Sequence, residues 1–93
     1  MRLAENEQLA IRAAIREADS EASIYLFGSR ADDAAKGGDI DLLILSRKIT
    51  LMVKLSILAQ LHQQLGDRKI DIAVYSDDSR PFPRMVMQEG VRL

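Results

Sequence analysis

Three aspartates in this sequence have the spacing that a metal site on a β-sheet requires. Asp39 and Asp41 lie two residues apart in an apolar run over residues 39–45, and Asp71 lies in a similar run over residues 69–75. Alternate residues of a strand point to one face, so Asp39 and Asp41 share a face. Parallel pairing of the two runs brings Asp71 beside them. Three converging carboxylates repel one another, and Mg²⁺, as one ion or two, is the hard cation that relieves this repulsion.

A second motif, Gly28-Ser29-Arg30, has the residue types of a phosphate site. It directly follows an apolar run over residues 23–27. Gly28 has no Cβ to keep a phosphate away, Ser29 offers a hydroxyl, and Arg30 can offset phosphate charge. If a helical turn opens here, its free N–H groups also bind anions. Gly-Ser or Asp-x-Asp alone is usually a turn or a solvated strand end, but both in one small domain favour a nucleotide and metal site.

The spacing of apolar residues and the positions of turn-forming residues predict the helices and strands that position these side chains. The patterns predict helices over residues 4–18, 51–65 and 84–89, and strands over residues 23–27, 39–45 and 69–75. Thr50 is the expected N-cap of the second helix and Gly66 its stop. The helix between the last two strands indicates a parallel pair, whereas the shorter connection between the first two suits an antiparallel pair. We therefore predict a single α+β domain, with a mixed three-stranded sheet and helices packed on one face.

Composition excludes several classes of function. The chain has 93 residues, a formal net charge of −1, no cysteine and one histidine, His62. It therefore has no basic field for general nucleic-acid binding, no disulfide framework and no cysteine nucleophile. A signal peptide and a run long enough to span a membrane are both missing from the sequence, so we expect a cytoplasmic protein without membrane contact.

The motifs together resemble a known family. Leu26-Phe27-Gly28-Ser29-Arg30-Ala31 followed by Gly38-Asp39-Ile40-Asp41-Leu42 is similar to the signature of the DNA polymerase beta nucleotidyltransferase superfamily, in its minimal nucleotidyltransferase branch. Lys69-Ile70-Asp71-Ile72 resembles the strand that carries the third carboxylate of that family. The ending Glu89-Gly90-Val91-Arg92-Leu93 resembles its usual C-terminus, so the similarity spans essentially the whole chain.

The resemblance implies a reaction and a set of residue roles. Gly28, Ser29 and Arg30 would hold the triphosphate of ATP or another nucleoside triphosphate. Asp39 and Asp41 would bind two Mg²⁺ ions, and Asp71 would bind one of them and help to remove the acceptor proton. The acceptor hydroxyl would then take a nucleoside monophosphate and expel pyrophosphate.

The resemblance also implies a partner, since minimal members are typically paired with a small helical protein of the HEPN or substrate-binding type. In one such pairing the transferase is the antitoxin and adenylylates a ribonuclease toxin. Two alternatives stay open: an antitoxin that acts by occlusion without turnover, and a transferase for a small hydroxylated metabolite or antibiotic. The apolar tail residues Met85, Val86, Val91 and Leu93 suggest a docking surface, a cover for the sheet or a homo-oligomer contact.

Overall fold

The order of elements agrees with the sequence prediction and adds one strand. The computed structural model describes residues 3–28, 39–66 and 68–93. Within these residues the chain forms three helices and four strands, in the order α1 (Glu5–Ala18), β1 (Ser23–Phe27), β2 (Ile40–Leu45), α2 (Leu51–Leu65), β3 (Ile70–Tyr75), α3 (Pro81–Glu89) and β4 (Val91–Arg92). The α+β class is therefore confirmed.

The sheet is mixed, as predicted, with the strand order β3-β2-β1-β4. β1 and β2 are antiparallel, and β2 and β3 are parallel, joined through α2. The two-residue strand β4 pairs antiparallel with β1, and the Leu93 N–H donates to the Ile24 carbonyl over 2.9 Å. The prediction of three strands missed β4, because two residues are too few to show an alternating pattern.

The prediction that the helices pack on one face holds for α1 and α2 but not for α3. Alternate residues of the strands, among them Ile24, Leu42 and Ile72, pack with α1 and α2 in the larger apolar cluster. Tyr25, Leu43 and Val86 form a smaller cluster on the opposite face, which α3 covers. β1 and the second half of β2 are apolar at consecutive positions, so both of their faces need a cover.

The start of α3 also differs from the prediction. The helix begins at Pro81 rather than near Arg84, and it contains both Pro81 and Pro83. The N–H groups of the first helical turn have no acceptor within the helix, so a proline there loses no hydrogen bond. The two prolines therefore belong to the first turn of α3 and do not shift its start to a later residue.

Capping residues define both ends of α2 and the start of α1. The Thr50 hydroxyl accepts from the Val53 N–H over 3.3 Å, and Gly66 ends α2 with a φ of +82°, as the sequence predicted. Near the start of α1 the buried Glu7 carboxylate accepts from the Ala4 N–H over 2.9 Å and pairs with the Arg68 guanidinium. None of the helices in the described part of the chain has the length and apolar character needed to cross a membrane.

A buried hydrogen-bond network joins the end of α1 to the end of β2. The Ser46 hydroxyl donates to the Asp19 carboxylate over 2.6 Å and accepts from the N–H groups of Lys48 and Ile49. The Ser46 hydroxyl and the Glu21 N–H hold the pKa of Asp19 below its ordinary value, although burial opposes them. This network therefore fixes where β2 ends.

Replacing Ser46 with Ala should lower the melting temperature at pH 7 by about 4 °C or more, because the buried Asp19 carboxylate, the buried Ile49 N–H and the partly buried Lys48 N–H lose their partner. The depressed pKa of Asp19 stabilises the fold above the ordinary pKa of an aspartate, and that stabilisation is lost as pH falls through the lower, folded-state pKa. The difference between variant and wild type should therefore shrink in acid. Thermal melts of Ser46→Ala and of Ser56→Ala, at an exposed position of α2, provide the comparison. Equal melting temperatures for both variants at pH 7 would contradict the prediction.

Candidate functional site

The three predicted aspartates lie at one edge of the sheet. In the parallel pair, Asp41 of β2 is the direct neighbour of Asp71 of β3. Asp39 immediately precedes β2, at the level where the Ile40 N–H donates to the Lys69 carbonyl over 2.9 Å. The side chains of Asp39 and Asp71 are 54% and 58% exposed, so a ligand can reach them from solvent. The parallel crossover through α2 thus brings together carboxylates that lie far apart in the sequence.

Sequence reasoning did not foresee a role for Lys69 at this edge. Its ammonium nitrogen lies 4.0 Å from Asp39 Oδ2 and 3.9 Å from Asp71 Oδ2. Among the described residues, no three His, Cys, Asp or Glu side chains are gathered closely enough to hold one metal ion. The ammonium supplies part of the positive charge that the carboxylates require. The only signal in the sequence was a lysine two residues before Asp71.

The surroundings of the Asp41 carboxyl group disfavour its negative charge. Burial raises its pKa above the ordinary value, and the negative charges of Asp71 and Asp39 raise it further. The Lys69 ammonium opposes this rise. The surroundings of the half-buried Asp41 carboxylate thus disfavour its negative charge, and a bound cation would favour that charge.

Replacing Asp41 with Asn should raise the free energy of unfolding of the metal-free protein at pH 7, because Asn lacks the charge that burial and the neighbouring carboxylates disfavour. The raised pKa means that the folded protein binds the Asp41 proton more tightly than the unfolded chain does. Its unfolding free energy therefore falls as pH rises through that pKa, and Asn has no such loss. Urea unfolding at pH 7 with a chelator, compared with Asp78→Asn in an exposed loop, measures the gain. A destabilised Asp41→Asn protein would count against charge repulsion at this site.

Gly28 lies against the Asp41 carboxylate, which occupies the space that a side chain at residue 28 would need. Its φ is +72°, a conformation that other residues rarely adopt. A Cβ at this position would lie 2.5 Å from Asp41 Oδ2 and 3.3 Å from Asp41 Cγ. Any larger residue must therefore displace the carboxylate. The first residue of the predicted phosphate motif is in direct contact with the predicted metal site, whereas Ser29 and Arg30 lie outside the described residues.

Two neighbouring carboxylates, those of Asp41 and Asp71, suit a divalent cation that takes its other ligands from phosphates and water. The donor set consists of carboxylate oxygens, which Mg²⁺ prefers, and the space beside Asp41 is one that a Cβ at Gly28 would fill. Burial and the neighbouring carboxylates raise the pKa of Asp41 and so disfavour its charged form, which a bound cation would favour.

A comparison with known families agrees with this geometry. A family model described as Polymerase beta, Nucleotidyltransferase matches residues 10–93, a stretch that includes Gly28 and all three aspartates. The chain belongs to the polymerase beta nucleotidyltransferase family. Its general function is that of a nucleotidyltransferase domain, and its α+β fold with a mixed sheet is consistent with that assignment. A sequence search among curated proteins gave no match.

Proposed function

We propose that this nucleotidyltransferase domain is a Mg²⁺-dependent enzyme that transfers AMP from ATP to an acceptor hydroxyl. The observation that carries the proposal is the register of β2 and β3, which places Asp41 beside Asp71 with Gly28 against the Asp41 carboxylate. Clustered carboxylates lower the stability of the fold when no cation is bound. In a nucleotidyltransferase the same carboxylates would bind the metal ions that the reaction uses.

Each residue at the site has a distinct role in this proposal. Asp39, Asp41 and Asp71 would hold Mg²⁺, which when bound neutralises phosphate charge and polarises the reacting phosphoryl group. Gly28 would let the triphosphate approach the Asp41 edge, with Ser29 and Arg30 as further phosphate contacts. Asp71 is exposed and lies at the outer strand of the described sheet, so an acceptor hydroxyl can reach it.

The transfer itself is an in-line displacement at the α-phosphorus. The acceptor oxygen forms a bond to that phosphorus while the bridging bond to the β-phosphate breaks, and pyrophosphate leaves with the electron pair. Asp71 takes the proton of the attacking hydroxyl, as a positioned general base does. The products are pyrophosphate and a nucleotidylated acceptor.

The acceptor in this proposal is a small helical HEPN-type partner, with this chain as the antitoxin of the pair. The support is the resemblance of the motifs together with two exposed apolar side chains on α2, Leu51 and Met52; Met85 is exposed as well, but on α3 at the opposite face of the sheet. Of the tail residues expected to dock a partner, Val86 and Leu93 are instead buried within this chain. Co-expression with the neighbouring gene product, size-exclusion chromatography and intact mass would test the pairing, because transfer adds the mass of one AMP to the partner.

Calorimetry tests the nucleotide site independently of any acceptor. We expect ATP to bind only with Mg²⁺, and the double variant Asp39→Asn with Asp41→Asn to lose that binding, because it removes two of the three anionic ligands. The matched control is Asp77→Asn with Asp78→Asn, which changes the net charge equally in the exposed loop after β3. Metal-dependent binding that survives in the first variant would place the site elsewhere.

A further inference from the structure

Three aromatic rings lie on the same face of the sheet as the carboxylates. Phe27 pairs directly with Asp41 across β1 and β2, so both side chains point to the α3 face. The Phe82 ring meets the Phe27 ring edge to face, with centroids 5.6 Å apart and an interplanar angle of 82°. The Tyr75 ring also lies close to the Phe82 ring, with centroids 5.8 Å apart. We call Phe27, Tyr75 and Phe82 the aromatic platform.

The aromatic platform is only partly covered by the protein. All three rings are half-buried around the smaller apolar cluster, whereas Leu43 beneath them is fully buried. On this face of β3 the residue between Asp71 and Tyr75 is Ala73, which is also half-buried. Because the Ala73 side chain is small, it projects little from the sheet between the carboxylates and the rings. A flat group held against the rings would therefore lie on the same face of the sheet as the carboxylates.

We propose that the aromatic platform binds the base of the nucleotide by stacking, with Phe27 and Phe82 as the principal contacts. The inference rests on the proposed function, because it assigns a second part of the same substrate. A nucleoside triphosphate joins an anionic chain to a flat aromatic ring, and this face of the sheet offers complementary surfaces for both. Phe27 connects them, since it precedes Gly28 in the chain and lies opposite Asp41.

Stacking on a phenyl ring recognises the face of a base rather than its hydrogen-bonding edge, so it accepts every base. The platform therefore selects for a nucleotide over a bare polyphosphate and discriminates weakly between ATP and GTP. A single base stacked on an aromatic side chain contributes enough binding free energy that loss of the ring lowers affinity by about 5-fold or more.

Two ligands separate this inference from the proposed function. Calorimetry with Mg²⁺ should show that Phe82→Leu and Phe27→Leu bind ATP about 5-fold or more weakly than the wild type, with unchanged affinity for inorganic tripolyphosphate. Leucine keeps an apolar side chain in the smaller cluster but has no aromatic face. The matched control is Met87→Leu, a similar-volume change in the same cluster, which should bind both ligands as the wild type does.

The outcomes are distinct. Equal weakening of ATP and tripolyphosphate, or of neither, would overturn base stacking while leaving the metal and phosphate site in place. Absence of Mg²⁺-dependent binding of both ligands to the wild type would overturn the proposed function and the platform together.

Fluorescence gives a second measurement that does not depend on a loss of affinity. The chain contains no tryptophan, so Phe82→Trp introduces a single reporter into the platform and keeps an aromatic face there. Saturating ATP with Mg²⁺ should change its emission, and saturating tripolyphosphate with Mg²⁺ should not. Emission that responds equally to both ligands, or to neither, would contradict a stacked base.

Discussion

Replacing Asp71 with Asn should reduce turnover by about 10²-fold or more, because Asn cannot accept the acceptor proton and is a weaker metal ligand. The two side chains have nearly the same shape, and Asp71 is exposed, so the fold and the pairing of β2 with β3 should persist. Asp39 and Asp41 remain, and much of the Mg²⁺-dependent ATP binding should remain with them. The variant should therefore separate catalysis from binding.

Pyrophosphate release from ATP measures this effect, with water and then the neighbouring gene product as acceptor. Calorimetry on the same preparation gives the ATP affinity. Asp78→Asn is the appropriate control, since it removes one carboxylate from an exposed loop beyond the end of β3. Normal turnover by Asp71→Asn with an acceptor that the wild type modifies would exclude Asp71 as the proton acceptor.

Replacing Gly28 with Ala should lower the affinity for ATP and Mg²⁺ by about 10-fold or more, a loss that corresponds to roughly 1.4 kcal/mol. The new Cβ would lie 2.5 Å from Asp41 Oδ2, so either the Asp41 carboxylate or the backbone must move. Both changes occur where the metal and the triphosphate are proposed to meet. The positive φ of Gly28 adds a conformational cost of about 1–2 kcal/mol in stability.

Gly66 provides a matched control for that cost. Its φ of +82° with a ψ of −155° is a conformation that almost only glycine adopts, so Ala is strained there too, but a Cβ at this position has no atom within 4 Å. Gly66→Ala should therefore lose at least as much stability as Gly28→Ala and keep full nucleotide binding. If both variants lost ATP affinity equally, the loss would reflect general destabilisation and not contact with Asp41.

The parts of the fold that sequence reasoning predicted are those with a local cause. The order of the first six elements, the Thr50 cap and the Gly66 stop follow from periodicity and from the conformations that these residues favour. The extra strand β4 and the side on which α3 packs depend on distant contacts, such as the bond from Leu93 to Ile24. Such contacts leave no periodic signal in a two-residue segment.

The candidate site divides in the same way. Parallel pairing through α2 was enough to predict that Asp39, Asp41 and Asp71 share an edge. The position of the Lys69 ammonium between two of them depends on the direction of a long side chain, which spacing does not determine. The contact between Phe27 and Phe82 was equally hidden, because it requires α3 to cover the carboxylate face.

The unequal size of the two apolar clusters determines which part of the domain can open first. Among the described residues, α1, α2 and the strands share most of the buried apolar side chains, whereas α3 covers a smaller cluster in which only Tyr25, Leu43 and its own Val86 are buried. Detaching α3 exposes only the smaller cluster, so this local opening costs less than unfolding the domain. The strands that carry Asp41 and Asp71 stay paired during such an opening. Such an opening separates Phe82 from Phe27 while Asp41 and Asp71 keep their spacing.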